Sequence, residues 1–370
     1  MRKKRIAFVS NGGFGTGNYS QGIPITHNFV NDIQEHYDVV VFSLYPVNRG
    51  FSEKHYKLIT PTKKLSKFSK LYWLIRNFRK ENALQEIDLI HAFWGYPTGF
   101  LCAIIKSLFQ IPLLIHLRGG DSVWLPEIKY GAFSNRIKKI LLRWTYEKAD
   151  HLVVLSNFQK EKLAENYTRK IPEVISFGVD TSLFVPKSIK QSSRLHKLLH
   201  IASLNRVKDQ ETLIDTLRLI SEEMNVELTI MGEDTLNGEV QNYAVQTGVR
   251  ELISFVPFQP YKKLPIYFSQ SDILLHTSLY EAQALVVSEA LASGVLVCGT
   301  HVGLIADLSS DCTLAVPIKD SKALADTVID ALKQPEKYQD RRDEGIRWSI
   351  QHDSKFTIRR FQEVYKSMFR

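Results

Sequence analysis

The segment His276-Thr-Ser-Leu-Tyr-Glu281-Ala-Gln-Ala-Leu-Val-Val-Ser-Glu289-Ala-Leu-Ala-Ser-Gly294 carries two carboxylates at a spacing that could do chemistry. Glu281 falls in the loop after an apolar run, and Glu289 falls inside the helix that follows. A carboxylate accepts two hydrogen bonds in fixed geometry, which suits it to adjacent hydroxyls. Backbone N–H groups near Leu285 and Val286 open the helix and present the positive end of its dipole to the same space. Sugar hydroxyls, a ribose and a diphosphate could therefore all be held by this one stretch. Arg206 and Lys208, in Ile201-Ala-Ser-Leu-Asn-Arg-Val-Lys208, could supply the positive charge that a leaving diphosphate needs.

A second group lies near the start. Asn11-Gly12-Gly13-Phe-Gly15-Thr-Gly17 follows a first apolar run, Arg5–Ser10. The third glycine of a dinucleotide fingerprint is absent, because Ser20 stands there, and the next apolar run, Val39–Ser43, lacks an acid to grip a ribose. Nicotinamide and flavin are poorly matched. The turn exposes N–H groups that could seat an anion, or it is a tight turn that needs glycine; both readings stand. Farther on, His116-Leu-Arg118-Gly-Gly-Asp121 ends another apolar run. Arg118 cannot act as a base, but it could hold an anion or a hydroxyl, and His116 reads as a core residue. There is no Asp-x-Asp, His-Glu-x-x-His or Cys-x-x-Cys pattern, so no metal and no cofactor are expected.

Strand and helix patterns alternate along the chain, which predicts parallel sheets covered on both faces. Strands are expected at Arg5–Ser10, Val39–Ser43, Leu89–Ala92, Leu113–His116 and His151–Ser156, with helices at His27–His36 and Phe158–Glu165. After Phe177–Pro186 comes a polar, basic linker, Lys187–Lys197, and the alternation restarts. The second set has strands at Leu198–Ala202, Val226–Met231, Ile253–Val256, Asp272–His276 and Val295–Cys298, and helices at Gln210–Glu223 and Leu285–Ser293. The fold class is α/β, with two Rossmann-like doubly wound domains facing a cleft. Ligands in such sheets bind beyond the carboxyl ends of the strands.

Composition bounds the partners. At 370 residues, 44% hydrophobic and 24% charged, the chain suits two soluble domains. Only four apolar residues follow the basic start, so Ile6–Val9 reads as a strand and not a signal sequence. Three scattered cysteines fit reduced thiols in the cytosol. Residues 1–186 hold 26 Lys and Arg against 15 Asp and Glu, while the remainder holds 22 against 24. An anionic partner for the first half follows. The stretch Lys63-Lys64-Leu-Ser-Lys67-Phe-Ser-Lys70-Leu-Tyr-Trp-Leu-Ile-Arg76-Asn-Phe-Arg79-Lys80 mixes cations with Phe68, Tyr72, Trp73 and Phe78. It reads as a helix that docks on an anionic membrane, or as a surface helix whose aromatics pack on its own sheet. Arg136–Trp144 adds a second basic stripe. Nucleic acid is not expected, because no binding motif accompanies the charge.

Taken together, these motifs resemble the family-four retaining glycosyltransferases of the GT-B fold (glycosyltransferase group 1). Glu281 and Glu289 match the family's glutamate pair, and Ala290-Leu-Ala-Ser-Gly294 matches its tail. Ile175–Phe184 resembles its interdomain segment, Ile201–Gln210 its phosphate loop, and Leu228–Gly232 with Phe255–Phe258 its nucleotide-side strands. The resemblance implies that Glu281 contacts the transferred sugar and Glu289 the ribose. It makes Glu281, Lys208, Arg206 and Arg118 the candidate catalytic residues. Glu289, Gly13, Ser203, Gln283, Ala284, Leu285, Val286 and Phe258 become candidates for the donor side, and Gly12 and Asp121 for the acceptor side. Three departures stand out. Ser203 occupies the place of the usual phosphate-loop arginine, Arg118 stands where many members have a His, and Ala282-Gln-Ala replaces the common Gly-Phe-Gly.

The expected organisation is an acceptor-binding domain over 1–184, a nucleotide-sugar domain over 185–347, and a C-terminal helical segment over 348–370 that returns to the first domain. The expected activity is metal-independent, retaining transfer of a sugar from a nucleoside diphosphate sugar to a glycan or lipid-linked acceptor, in cell-surface polysaccharide or glycoconjugate synthesis. The expected location is cytoplasmic, with peripheral docking on the inner face of the cell membrane. The alternatives are a GT-B sugar-nucleotide epimerase and a non-catalytic two-lobed sugar-binding protein.

Overall fold

The computed structural model describes residues 2–186 and 195–369, so most of the expected linker lies outside the described residues. The chain forms two compact units. One comprises Met1–Leu155, Gln159–Ser176 and Thr357–Arg370, and the other comprises Ser156–Phe158 and Phe177–Phe356.

In the first unit, β1 (Arg5–Ser10), β2 (Asp38–Ser43), β3 (Lys57–Ile59), β4 (Leu89–Phe93), β5 (Leu113–His116), β6 (His151–Val154) and β7 (Glu173–Val174) form one parallel sheet. Its order is β3-β2-β1-β4-β5-β6-β7. Side chains alternate across it with period two. Ala7, Val9, Val40, Phe42 and Ile90 pack toward α2 (Lys67–Leu84), α3 (Phe100–Phe109) and α4 (Arg136–Lys148). Phe8, His91 and Phe93 face the other way. There the Phe8 ring lies 6.0 Å from Phe29 of α1 (Pro24–Gln34), and Phe29 lies 4.9 Å from Phe361. The α1 helix begins three residues before the expected His27, because Pro24 supplies a helical φ where no N–H is needed. The α5 helix (Asn157–Ala164) follows β6.

The second unit repeats the architecture. Its strands are β8 (His196–Ile201), β9 (Val226–Met231), β10 (Ile253–Val256), β11 (Ile273–His276), β12 (Leu296–Thr300) and β13 (Thr313–Val316), all parallel, in the order β10-β9-β8-β11-β12-β13. Leu198, Leu228, Ile273, Leu275 and Cys298 pack under α6 (Gln210–Ser221), α7 (Glu239–Gln246) and α11 (Ser321–Lys333). Leu199, Met231, Leu274 and Val297 pack under α8 (Leu264–Gln270), α9 (Leu285–Ala292) and α10 (Gly303–Asp307). Apart from α1, the foreseen elements stand within two residues of the sequence reading.

The unit boundaries differ from 184/185 and 347/348. Residues 177–184 already belong to the second unit: the Phe177 N–H donates to Gln283 Oε1 at 2.9 Å, and Phe184 packs against Tyr261 and Phe268. At the other end, α12 (Gln339–Gln351) stays with the second unit. The chain rejoins the first unit only from Thr357, inside α13 (Ser354–Met368). There the Thr357 hydroxyl donates to Ser176 O at 2.9 Å, Arg360 pairs with Glu173 at 2.6 Å, and Tyr365 OH meets His91 Nδ1 at 2.7 Å.

Candidate functional site

In the second unit the chemistry gathers at the carboxyl end of β11. The loop beyond it is stitched to the loop after β8: the Thr277 hydroxyl donates to Lys208 O at 2.9 Å, and the Leu279 N–H donates to Val207 O at 2.8 Å. This brings the Lys208 ammonium onto Glu281 Oε1 in a direct ion pair. The Ser278 hydroxyl donates to the same oxygen at 2.8 Å, and His276 Nε2 lies 3.4 Å from it. Burial alone would raise the Glu281 carboxyl. Lys208 and His276 outweigh burial and hold it well below the usual carboxylate range. Gly303 lets this loop close, since a Cβ there would stand 2.8 Å from Glu281 Cβ. The result is an ionised carboxylate beside a cation, which can receive a hydroxyl and a phosphate oxygen side by side.

Glu289 is built differently. The turn into α9 passes through Ala284, whose φ of 67° is left-handed, and Leu285 and Val286 occupy the first helical positions with partial exposure. Glu289 lies one turn deeper and is 4% exposed. Its carboxyl has no side-chain partner among the described residues, and burial pushes it up to about 8. Tyr261 is close enough for the Glu289 charge to add to burial in raising the phenol. A buried, unpaired carboxyl of this kind is unusual unless a ligand completes it.

One expected donor-side residue, Gln283, and one expected catalytic residue, Arg206, are engaged elsewhere. The Gln283 side chain is buried, with its oxygen on the Phe177 N–H and its nitrogen on Phe177 O at 2.6 Å and Ser288 Oγ at 3.3 Å. Its amide holds residue 177 in the second unit. The Arg206 guanidinium turns onto Glu239, with Glu211 at 3.6 Å, and about half of it is exposed; it is not with Lys208 and Glu281. Ser203 is exposed after β8 and accepts through its carbonyl from Gln210 at 3.2 Å. Phe258 is half-buried in the loop after β10.

The remaining candidates belong to the first unit. Gly12 and Gly13 take φ of 149° and 90° just after β1, and Gly13 O accepts from the Ile23 N–H at 2.9 Å. Arg118, after β5, donates to the Thr26 hydroxyl and lies over the rings of Phe93 and Trp94, 5.2 Å and 5.3 Å from their centroids. Burial lowers its guanidinium to about 9 against the pull of Asp121. Asp121 is 5% exposed and accepts from the Arg118 N–H at 3.1 Å and from the Gly95 N–H. Burial, opposed by these bonds, leaves it raised to about 6. Its carboxyl organises the loop through these bonds. His116 is fully buried, as a core residue should be.

The basic stripe divides. Phe68 and Tyr72 are 91% and 70% exposed, but Lys70, Leu74 and Phe78 are buried. Lys70, expected among the cations of a surface stripe, is therefore not a surface residue. The supporting residues His276, Thr277 and Ser278 were also passed over; their signal was the polar run that ends a buried strand just before Glu281. Among the described residues, no group of three or more His, Cys, Asp or Glu is placed to hold a metal, and no helix is long and apolar enough to cross a membrane.

With two parallel α/β units, a Lys208–Glu281 pair and a buried Glu289 in the helix that follows, comparison with known families is decisive. The model for glycosyl transferases group 1 matches residues 183–348, and that for glycosyltransferase family 4 matches residues 25–183. The chain belongs to the group 1 glycosyltransferases of the GT-B fold. Among curated relatives of this glycosyltransferase is N-acetyl-alpha-D-glucosaminyl L-malate synthase of Bacillus anthracis, 22% identical over 77% of this chain and 76% of that one. Among solved structures, a sucrose-phosphate synthase from Thermosynechococcus elongatus superposes with a TM-score of 0.84, 18% identity and 99% coverage of both chains. Anabaena HepE in complex with UDP-glucose gives 0.75 at 18% identity, covering 98% of this chain and 99% of that one.

Proposed function

We propose that this glycosyltransferase is retaining and metal-independent, moving a sugar from a nucleoside diphosphate sugar to a glycan or lipid-linked acceptor. The second unit takes the donor and the basic first unit takes the acceptor. The observation that carries the reading is Glu289, a buried carboxyl without a partner, one helical turn beyond the N–H groups of Leu285 and Val286. A ribose diol would supply the two hydrogen bonds this carboxyl lacks. Lys208 would move from Glu281 onto the diphosphate as negative charge develops there, and Glu281 would be released to receive sugar hydroxyls. The acceptor hydroxyl attacks the anomeric carbon on the side from which the diphosphate departs, and a donor phosphate oxygen takes its proton. The protein's part is positioning and charge stabilisation, with no cofactor beyond the donor itself. The UDP-glucose held by the HepE relative is in keeping with such a donor.

The acceptor reading places the work in cell-surface polysaccharide or glycoconjugate synthesis, on the cytoplasmic face of an anionic membrane. Exposed Phe68 and Tyr72 on α2, with Arg76 and Arg79 exposed on the same helix, support docking. So do exposed Ile137 and Ile140 on α4, among Arg136, Lys138 and Arg143. The test is donor consumption from a panel of nucleotide sugars, with and without glycan and lipid-linked acceptors. Acceptor-dependent consumption is expected. Consumption of no donor under any condition would overturn the reading.

A further inference from the structure

We infer that the first unit carries an oxyanion subsite centred on Lys70, and that the acceptor presents a phosphate or carboxylate group to it. The acceptor part rests on the functional reading above; the subsite itself does not. Lys70 lies in the first turn of α2 and is 9% exposed. Its ammonium donates to Asn11 Oδ1 at 2.9 Å and stands 4.3 Å from the centroid of the Tyr45 ring. Among the described residues, no carboxylate pairs with it. Arg5, another buried cation among the described residues of this unit, shows the usual arrangement, with Asp38 at 3.0 Å and Glu81 at 3.2 Å. A buried ammonium without a counter-charge is unfavourable, and such a group persists where a ligand supplies the missing anion.

The setting fits that ligand. An ammonium has three donors, and Asn11 uses one. Asn11 follows β1 and Tyr45 follows β2, so the group lies at the carboxyl ends of the parallel strands, where ligands of such sheets bind. Next to it, Gly12 and Gly13 carry no side chain over the turn, and Gly12 abuts Tyr45. Arg118, beyond the carboxyl end of β5, adds a second cation to the same rim. Of the acids at this end of the unit, Asp121 is engaged by the Arg118 and Gly95 N–H groups, and Glu53 by the Lys54 and His55 N–H groups, with His27 at 3.6 Å. A compact oxyanion on Lys70 would replace the missing counter-charge and leave the rest of the acceptor along the glycine turn.

The experiment uses the full chain saturated with UDP, so that the donor site is filled. Glycerol 3-phosphate, malonate and uncharged glycerol are titrated by calorimetry into the wild type, Lys70→Met and Lys70→Arg. Glycerol 3-phosphate, malonate or both should bind the wild type, and which one binds names the acceptor's anion; glycerol should not bind. Lys70→Met should weaken anion binding tenfold or more, Lys70→Arg should keep most of it, and UDP affinity should be unchanged in both. As a readout free of variants, the anion should shift the Gly12 and Gly13 amide resonances of the wild type. Lys70→Met should also unfold at a higher temperature than the unliganded wild type, because it removes a buried, uncompensated charge. The inference is overturned if neither anion binds the wild type, or if Lys70→Met binds them as tightly. If UDP does not bind, the anion titration is read on the unliganded chain by the same criteria.

Discussion

Replacing Glu289 by glutamine tests the donor site through its protons. With the carboxyl raised to about 8 by burial, roughly nine molecules in ten carry the proton at pH 7. A ribose diol donates hydrogen bonds and favours the charged form, so nucleotide binding should expel that proton, with a release of about 0.5–0.9 per site. Affinity should then rise by up to roughly tenfold per pH unit between about pH 6 and 8 and level off above. Calorimetry in buffers of different ionisation enthalpy measures the release. Glu289→Gln should bind the nucleotide more weakly and with no release beyond what the diphosphate itself contributes. Stability gives an independent sign. The folded-state value is raised, so the native state holds the proton more tightly than the unfolded chain. Stability is therefore lost as pH rises from about 4.5 through about 8, by at most on the order of 4–5 kcal/mol. Glu289→Gln should flatten that loss and be the more stable protein above pH 8. Equal proton release in wild type and variant would refute the reasoning.

Lys208→Ala should weaken nucleoside diphosphate binding about tenfold or more, since a charge-assisted hydrogen bond contributes about 1.5–3 kcal/mol. Arg206→Ala should change it less than twofold, because its exposed pairs with Glu239 and Glu211 contribute little; calorimetry reads both. Glu281→Ala should abolish turnover of the full donor while leaving free diphosphate affinity within a few-fold, and equal losses for the two ligands would move Glu281 to the nucleotide side. The intact protein should co-sediment with anionic vesicles at low salt and release at high salt, each cation near the surface contributing ~1 kcal/mol. Phe68→Ser with Tyr72→Ser, or Gln at Lys63, Lys64 and Lys67, should abolish sedimentation; an unaltered vesicle profile would refute docking.

The two-unit parallel architecture was legible because buried strands such as Ile6–Val9 and Ile273–Leu275 are continuous apolar runs bounded by polar residues. Glu281 and Glu289 were legible because a strand-to-helix turn fixes where each falls. Long-range partners were not. Gln283 looked like a ligand residue because its bonds go to Phe177, 106 positions away. The bonds that Asp121 accepts depend on how the loop closes back on Arg118 and Gly95. Lys70 belonged to a run of cations, and only the placement of Asn11 and Tyr45 at neighbouring strand ends takes it out of solvent. The exchange of the chain between units at Thr357 rests on Phe361 and Tyr365, whose partners, Phe29 on α1 and His91 on β4, lie near the other end of the sequence.

The most direct test of the account is the thermal stability of the full chain against a panel of nucleoside diphosphates and nucleotide sugars, for the wild type, Lys208→Ala and Glu289→Gln together. A ligand that binds the native state alone raises its stability, by about 2.7 kcal/mol at a hundredfold excess over Kd. The account predicts that at least one nucleoside diphosphate and its sugar derivative stabilise the wild type, and that both substitutions diminish the effect. Stabilisation by no nucleotide, or an effect untouched by either substitution, would contradict it.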